Sequence, residues 1–194
     1  MDFSSEKFRI IGLTPILFNA PTKMLQDALD PESGKPKVKK EKISPHVECE
    51  LKVRRNDKGE ILVPTIMFRN AILKSSAAFK QGRRSLKTYV AHIRAVPEFA
   101  VLYDGDGKPY TEFQIDSRFA KNNNMRPPAG IVVNRPRFDV WSVEIEIAYL
   151  PDFIEGDARN IFKLLLADAG VRFGAGSYRP ECAGWFGQFQ VDGK

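Results

Sequence analysis

The chain has 194 residues, 43% apolar and 28% charged, the balance of one well-buried globular domain with room for insertions. No run of eighteen apolar residues is present, which excludes a transmembrane helix, and Met1-Asp-Phe-Ser-Ser-Glu6 does not begin like a signal peptide. The two cysteines, Cys49 and Cys182, match no metal spacing and read as thiols of a cytoplasmic protein, while a net charge of +6 points to an anionic partner.

In chain order, residues 7–18 read as a first strand in which Pro15 implies an edge, a bulge or a break. Residues 20–48 are rich in Pro, Lys, Ser and Asp without a sustained period and read as a long insertion. Asn56-Asp-Lys-Gly59 is a turn signal between Glu50–Arg54 and Glu60–Pro64, which predicts a hairpin. Pro64 to Lys80 predicts a helix, with Phe68, Ile72, Ser76 and Phe79 on one face and Lys74 and Lys80 on others. Glu98–Tyr103 is a short strand closed by Asp104-Gly-Asp-Gly107, a carboxylate pair explained by turn chemistry. Residues 108–138 read as an irregular, hairpin-like excursion that returns through Gly130–Val133. Val140–Tyr149 is the clearest strand, with Trp141, Val143, Ile145, Ile147 and Tyr149 on one face. A second helix spans Asp157–Ala169 with Gly170 as its C′ residue, and a last strand runs from Trp185 to Val191. Without insertions the order is strand, helix, strand, strand, helix, strand. That is an α+β, ferredoxin-like order with an antiparallel sheet, shared by RNA-recognition domains. The chain reads as a single domain over 1–194, with insertions at about 20–60 and 104–138.

Charge is segregated along the chain. Residues 35–55 hold eight Lys or Arg against three Glu, with Lys39, Lys40, Arg54 and Arg55 among them. Residues 80–94 hold Lys80, Arg83, Arg84, Lys87 and Arg94 with no acid, and 117–137 hold Arg118, Lys121, Arg126, Arg135 and Arg137, again with none. Basic blocks kept apart from acidic ones fit an electrostatic track for a phosphate backbone. The alternative is a set of solvated helix ends and loops.

Between the second helix and the last strand lie five glycines in eighteen residues, at 170, 174, 176, 184 and 187. Glycine is entropically costly on folding, so this density implies a sharp turn or a close approach. Arg172 and Arg179, with the backbone around Gly174 and Gly176, are candidates to meet phosphates. Tyr178, Trp185, Phe186 and Phe189 are aromatics able to stack on bases; Tyr178 and Trp185 are the better candidates, while Phe173 and Phe189 read as core. The alternative is a tight helix-to-strand connection. His46 and His92 are the only histidines, and His92 is the weak candidate for a general base. No nucleotide-binding loop, zinc spacing or nucleophile motif is present, so neither metal nor cofactor is expected.

Val63-Pro-Thr-Ile-Met-Phe-Arg-Asn-Ala-Ile-Leu-Lys74 resembles the strand-to-helix segment of the RAMP superfamily of CRISPR-associated proteins, with Arg69 and Lys74 as its basic helix residues. The stretch Gly170 to Gly187 is similar to the glycine-rich loop of that superfamily. Together with the two insertions, the resemblance is closest to the backbone subunits of CRISPR effector complexes, in a divergent branch of the kind a phage or mobile element carries. Thr65-Ile-Met stands where Gly-Ser-Ser is commoner, and the chain is short for such a subunit. The resemblance implies a ferredoxin-like palm with finger-like and thumb-like extensions. It also implies a non-catalytic subunit that oligomerises along a guide-like single-stranded RNA beside other effector subunits. RNA is favoured over single-stranded DNA on the resemblance alone. A guide-processing endoribonuclease and a protein-interaction or inhibitor module for an acidic partner stay open.

Overall fold

A computed structural model describes residues 2–19, 44–122, 129–154 and 156–193. β1 (Ser4–Gly12) buries Phe8 and Ile10 and leaves Lys7 and Arg9 exposed, the alternation of a sheet with one covered face. The strand expected over 7–18 breaks after Gly12. The Trp141 indole fills the corner and donates from Nε1 to the Thr14 carbonyl at 2.8 Å. The chain resumes as β2 (Ile16–Leu17), which belongs to a different sheet.

α1 (Pro45–Glu50) has Ser44 as its N-cap and is followed by β3 (Arg54–Arg55). β3 pairs with β4 (Ile61–Pro64) around the Asn56–Gly59 turn, so the expected hairpin is present but shortened on its first side by α1. α2 (Ile66–Ser75) stops five residues short of Lys80 and passes into a 3₁₀ turn, Ser76–Ala78. There the buried Ser76 hydroxyl donates back to the Leu73 carbonyl at 2.8 Å, and the Ser76 carbonyl accepts the Ser85 hydroxyl. Such local bonds compete with the helical ladder and end it. The basic run that follows is a small hairpin, β5 (Lys80–Gln81) and β6 (Arg84–Ser85), then α3 (Leu86–Val90) and β7 (Arg94–Val96).

The remaining elements are β8 (Phe99–Tyr103), β9 (Gln114–Asn122), β10 (Ala129–Phe138), β11 (Ser142–Tyr149), α4 (Ala158–Arg172) and β12 (Phe189–Val191). The main sheet has the order β12-β1-β11-β8-β4-β3, every neighbouring pair antiparallel, and β7 continues along the β8 side of β11. In β11, Val143, Ile145, Ile147 and Tyr149 are buried and Glu144 is exposed, as the alternation predicts. These inward residues share one core with Phe68 and Ile72 of α2 and Phe162, Leu165 and Leu166 of α4. Each such side chain contributes about 1.5–3 kcal/mol on burial, so docking on the sheet holds the helices in place. The fold is α+β with antiparallel sheets and, among the described residues, four α-helices. Among those residues no helix is long and apolar enough to cross a membrane.

The excursion expected at 108–138 is a long hairpin of β9 and β10 with β2 along its edge. α1 anchors it. The Asn134 amide donates to Glu48 at 2.6 Å, Lys52 Nζ donates to the Asn134 carbonyl at 2.5 Å, and the Ser117 hydroxyl donates to Asn134 Oδ1 at 2.6 Å.

α4 runs three residues past its expected end, and Gly170 lies inside it rather than at C′. A Cβ at Gly170 would strike the Phe189 carbonyl, so this glycine lets the helix lie directly on β12. The left-handed closing residue is Gly174, at φ +66°, whose N–H donates to the Ala169 carbonyl at 2.9 Å. The last strand is shorter than expected because Gly187 turns the chain at φ +67° and donates to the Pro15 carbonyl at 2.8 Å.

Candidate nucleic-acid interface

The glycine-rich loop is tied down on both sides. Ala175 donates to the Gly187 carbonyl and Ser177 to the Leu17 carbonyl, both at 2.8 Å, while Phe186 donates to Tyr178 at 3.0 Å. These amides are therefore spent inside the fold, and what the loop offers outward is side chains. Tyr178 holds an unusual left-handed conformation, φ +51°, for a bulky residue. Its backbone lies where a Cβ on Gly184 would fall, so Gly184 makes room for it.

On one side of the loop, two aromatics meet the arginines of the β9–β10 hairpin. Arg135 lies 4.5 Å and Arg118 6.0 Å from the centre of the Tyr178 ring. Arg118 lies 4.6 Å and Arg137 5.9 Å from that of Phe186. Trp185 stacks on Phe186 with ring centres 4.3 Å apart and remains 56% exposed, so it presents a free indole surface. Asp116 is the central carboxylate of the cluster. It accepts from Arg118 Nε and Nη2 at 2.6 and 2.9 Å and lies 3.6 Å from Arg137. The Arg118 hydrogen bonds, reinforced by the charges of Arg137 and Arg135, hold its carboxyl below the usual range. Arg135, opposite Asp116 in the ladder, is 6% exposed, and its Nε and Nη1 have no hydrogen-bond partner among the described residues. A buried guanidinium without full hydrogen bonding is costly, and stacking on Tyr178 offsets only part of that.

On the other side, the loop forms one wall of a cleft of about 470 Å³ against β4 and the first turns of α2. Leu62, Pro64, Met67, Phe99 and Phe173 supply apolar lining, and Gly174, Gly176 and Arg179 line the loop side. Arg54, Lys74 and Arg179 bring three cations, against the carboxylate of Glu181, while Lys52 at the edge is already paired with Glu48. The Arg54 guanidinium lies 3.9 Å over the Phe99 ring, and Asn70 adds an amide. An apolar, partly aromatic floor with a cationic rim suits a base and its phosphate together.

Other candidates are placed elsewhere. Arg55 donates to Glu50, Gly59 and Thr111, and Arg69 donates to the carbonyls of Ile93 and Ala91, so both tie the fold together. Arg172 is held by Asp168 of the preceding turn, with Nε to Oδ1 at 2.7 Å and Nη2 to Oδ2 at 2.5 Å. Arg83, Arg84 and Lys87 are exposed beyond the C-terminal end of α2 and do not line the cleft. Lys39, Lys40, Arg126 and the side chain of Lys121 lie outside the described residues. His92 accepts the Leu150 N–H on Nε2 at 2.8 Å; burial lowers its pKa against a raising bond to the Tyr89 backbone, which fits a structural histidine. Among the described residues no three metal-capable side chains come together.

Sequence reasoning missed Lys52, Asp116, Glu181 and Phe119. Phe119 is 83% exposed on the outer face of the hairpin, opposite Val132, which is also exposed. Alternation along Gln114–Phe119 would have placed Phe119 on a covered face, so the sequence carries no signal for its exposure.

No family model matches the chain, and no curated protein matches it. Among solved structures it is similar to a chain of the type III-B Cmr-β complex bound to cognate target RNA, determined by cryo-electron microscopy. The TM-score is 0.49 at 11% identity, over 97% of this chain and 58% of that one.

Proposed function

We propose that this protein is a non-catalytic subunit that binds single-stranded nucleic acid, RNA in preference to DNA, largely without regard to sequence. The carrying observation is the convergence on one loop of two surfaces distant in sequence. The arginine hairpin of β9 and β10 lies on Tyr178 and Phe186, and the cationic cleft of Arg54 and Lys74 opens on Gly174 and Arg179. Cations to follow phosphates and exposed rings to follow bases are the two components of sequence-tolerant single-strand binding.

The chain reads as one domain whose core is ferredoxin-like: β1, α2, the β7–β8 edge, β11, α4 and β12. The sheet order β12-β1-β11-β8 supports this. The RAMP resemblance of Val63–Lys74 and Gly170–Gly187 then makes the core a palm and the β9–β10 hairpin a thumb. Copies assemble side by side along the strand, with Phe119 and Trp185 available to stack on bases. Mixing the protein with labelled single-stranded RNA, single-stranded DNA and an acidic protein such as polyglutamate tests this. Tight, salt-sensitive binding to RNA with growth in size along longer strands supports it. Binding to polyglutamate alone would favour an acidic protein partner instead.

A further inference from the structure

Glu181 sits at the mouth of the cleft in the short turn Pro180–Cys182. Its Oε1 accepts from Lys74 Nζ of α2, and its Oε2 accepts from Arg179 Nε and Nη2 at 3.0 and 2.9 Å. Arg179 is steadied by a further bond from Nη1 to the Gly176 carbonyl at 2.9 Å. A guanidinium fork and an ammonium converging on two oxygens of one group form an oxyanion receptor, and a phosphate offers the same acceptor pattern as a carboxylate. The hydrogen bond from Lys74, then that from Arg179, keeps Glu181 ionised below the usual range. The three side chains are between 29% and 44% exposed, so the receptor is reachable from solvent. Exposed ion pairs are weakly held and yield to competing polyanions.

The pair formed by Asp168 and Arg172 differs. Asp168 also accepts from the buried Ser75 hydroxyl at 2.5 Å, sits within α4, and does not line the cleft. Glu181 receives all its bonds from the two solvent-reachable cations of the cleft, none from a buried group, and stands on a short turn.

We infer that Lys74 and Arg179 form a phosphate site on the cleft wall, that Glu181 occupies it in the free protein, and that a phosphodiester of the bound strand displaces the Glu181 carboxylate. This rests on the single-strand binding proposed above. Glu181 then acts as an internal competitor: it ties α2 to the loop in the free state and sets a threshold that only a polyanion passes.

The test compares wild type, Glu181→Gln and Glu181→Ala for binding of an oligouridylate across a salt series. Asp152→Asn is the control; it removes the same charge from the turn at the opposite end of α4. Both Glu181 variants should bind about fivefold more tightly at about 0.1 M salt, with the slope of log K against log salt unchanged, because the same phosphate contact forms once the carboxylate is absent or displaced. Asp152→Asn should change binding less than twofold. Glu181 variants that fold yet bind no more tightly than Asp152→Asn overturn the inference and leave single-strand binding standing. Wild type that binds no strand at all removes the underlying function as well. A measurement on wild type alone covers variants that do not fold. The ¹³C carboxyl signal of Glu181 should titrate below the ordinary glutamate range in the free protein and return to it when oligouridylate is bound. An unchanged titration overturns the inference.

Discussion

The guanidinium of Arg135 lies 4.5 Å from the centre of the Tyr178 ring, and this contact joins the two basic surfaces of the protein. Arg135 comes from the hairpin and Tyr178 from the glycine-rich loop. Neither is comfortable: Arg135 is buried with unmet donors, and Tyr178 holds a left-handed backbone. Locally unfavourable features that persist together suggest a place where function is traded against stability.

Arg135→Met therefore should raise stability by about 1 kcal/mol, because an apolar chain of similar length carries no desolvation cost. The same substitution should weaken single-strand binding. Chemical denaturation and anisotropy on one preparation check both, and a marked loss of stability would show that the guanidinium is structurally required.

Asp116→Asn should act in the opposite direction. It removes the carboxylate that Arg118 and Arg137 share and leaves Asp139, bound to Arg137 at 2.6 Å, as a remaining counterion of the cluster. A loss of about 1.5 kcal/mol is expected, that of charge-assisted hydrogen bonds to arginines that stay partly exposed to solvent. A urea midpoint equal to that of wild type would contradict the pairing.

Acid should destabilise the protein in two stages. His92 has a pKa lowered chiefly by burial, so its contribution is complete above its unfolded value near about 6.5 and fades as pH falls through its folded value. Asp116, held low chiefly by Arg118, and Glu181, held low chiefly by Lys74, contribute fully above about 4–5 and lose that contribution as pH falls through their folded values. Glu48 follows them, since bonds from Lys52 and Asn134 outweigh the burial that would raise it. Melting temperature against pH should show a shallow decline that begins below about pH 6.5, absent in His92→Gln, and a steeper fall below about pH 4.5.

Gly170→Ala should cost about 3 kcal/mol or more, since the added methyl meets the Phe189 backbone rather than a side chain able to turn away. Gly130→Ala is the contrast, because nothing stands near its Cβ position. Equal melting temperatures for the two would show that α4 does not rest on β12 as described.

The elements that were legible in the sequence are those with strict period. Trp141 to Tyr149 alternates cleanly because one face of β11 meets the helices and the other does not. The ends of elements were less legible, since they depend on partners far along the chain. Ser76 ends α2 together with Ser85, and Gly170 stays helical because of Phe189. Charge counting along the chain located the basic hairpin but not its counterion. The stretch free of acids begins one residue after Asp116, which in the folded chain binds two of its arginines. Arg172 and Arg179 likewise look free in the sequence and meet Asp168 and Glu181 in the structure.

The central claim is that the hairpin, the loop and the cleft together hold one single strand. Anisotropy of a labelled oligouridylate against salt, for wild type and for Arg54→Ala with Lys74→Ala, tests it most directly. Wild type should bind with log K falling linearly as log salt rises, and the double substitution should reduce the slope by about 0.7–1.4, up to one phosphate contact for each cation removed. Affinity that does not change with salt, or a slope that the double substitution leaves untouched, would contradict it.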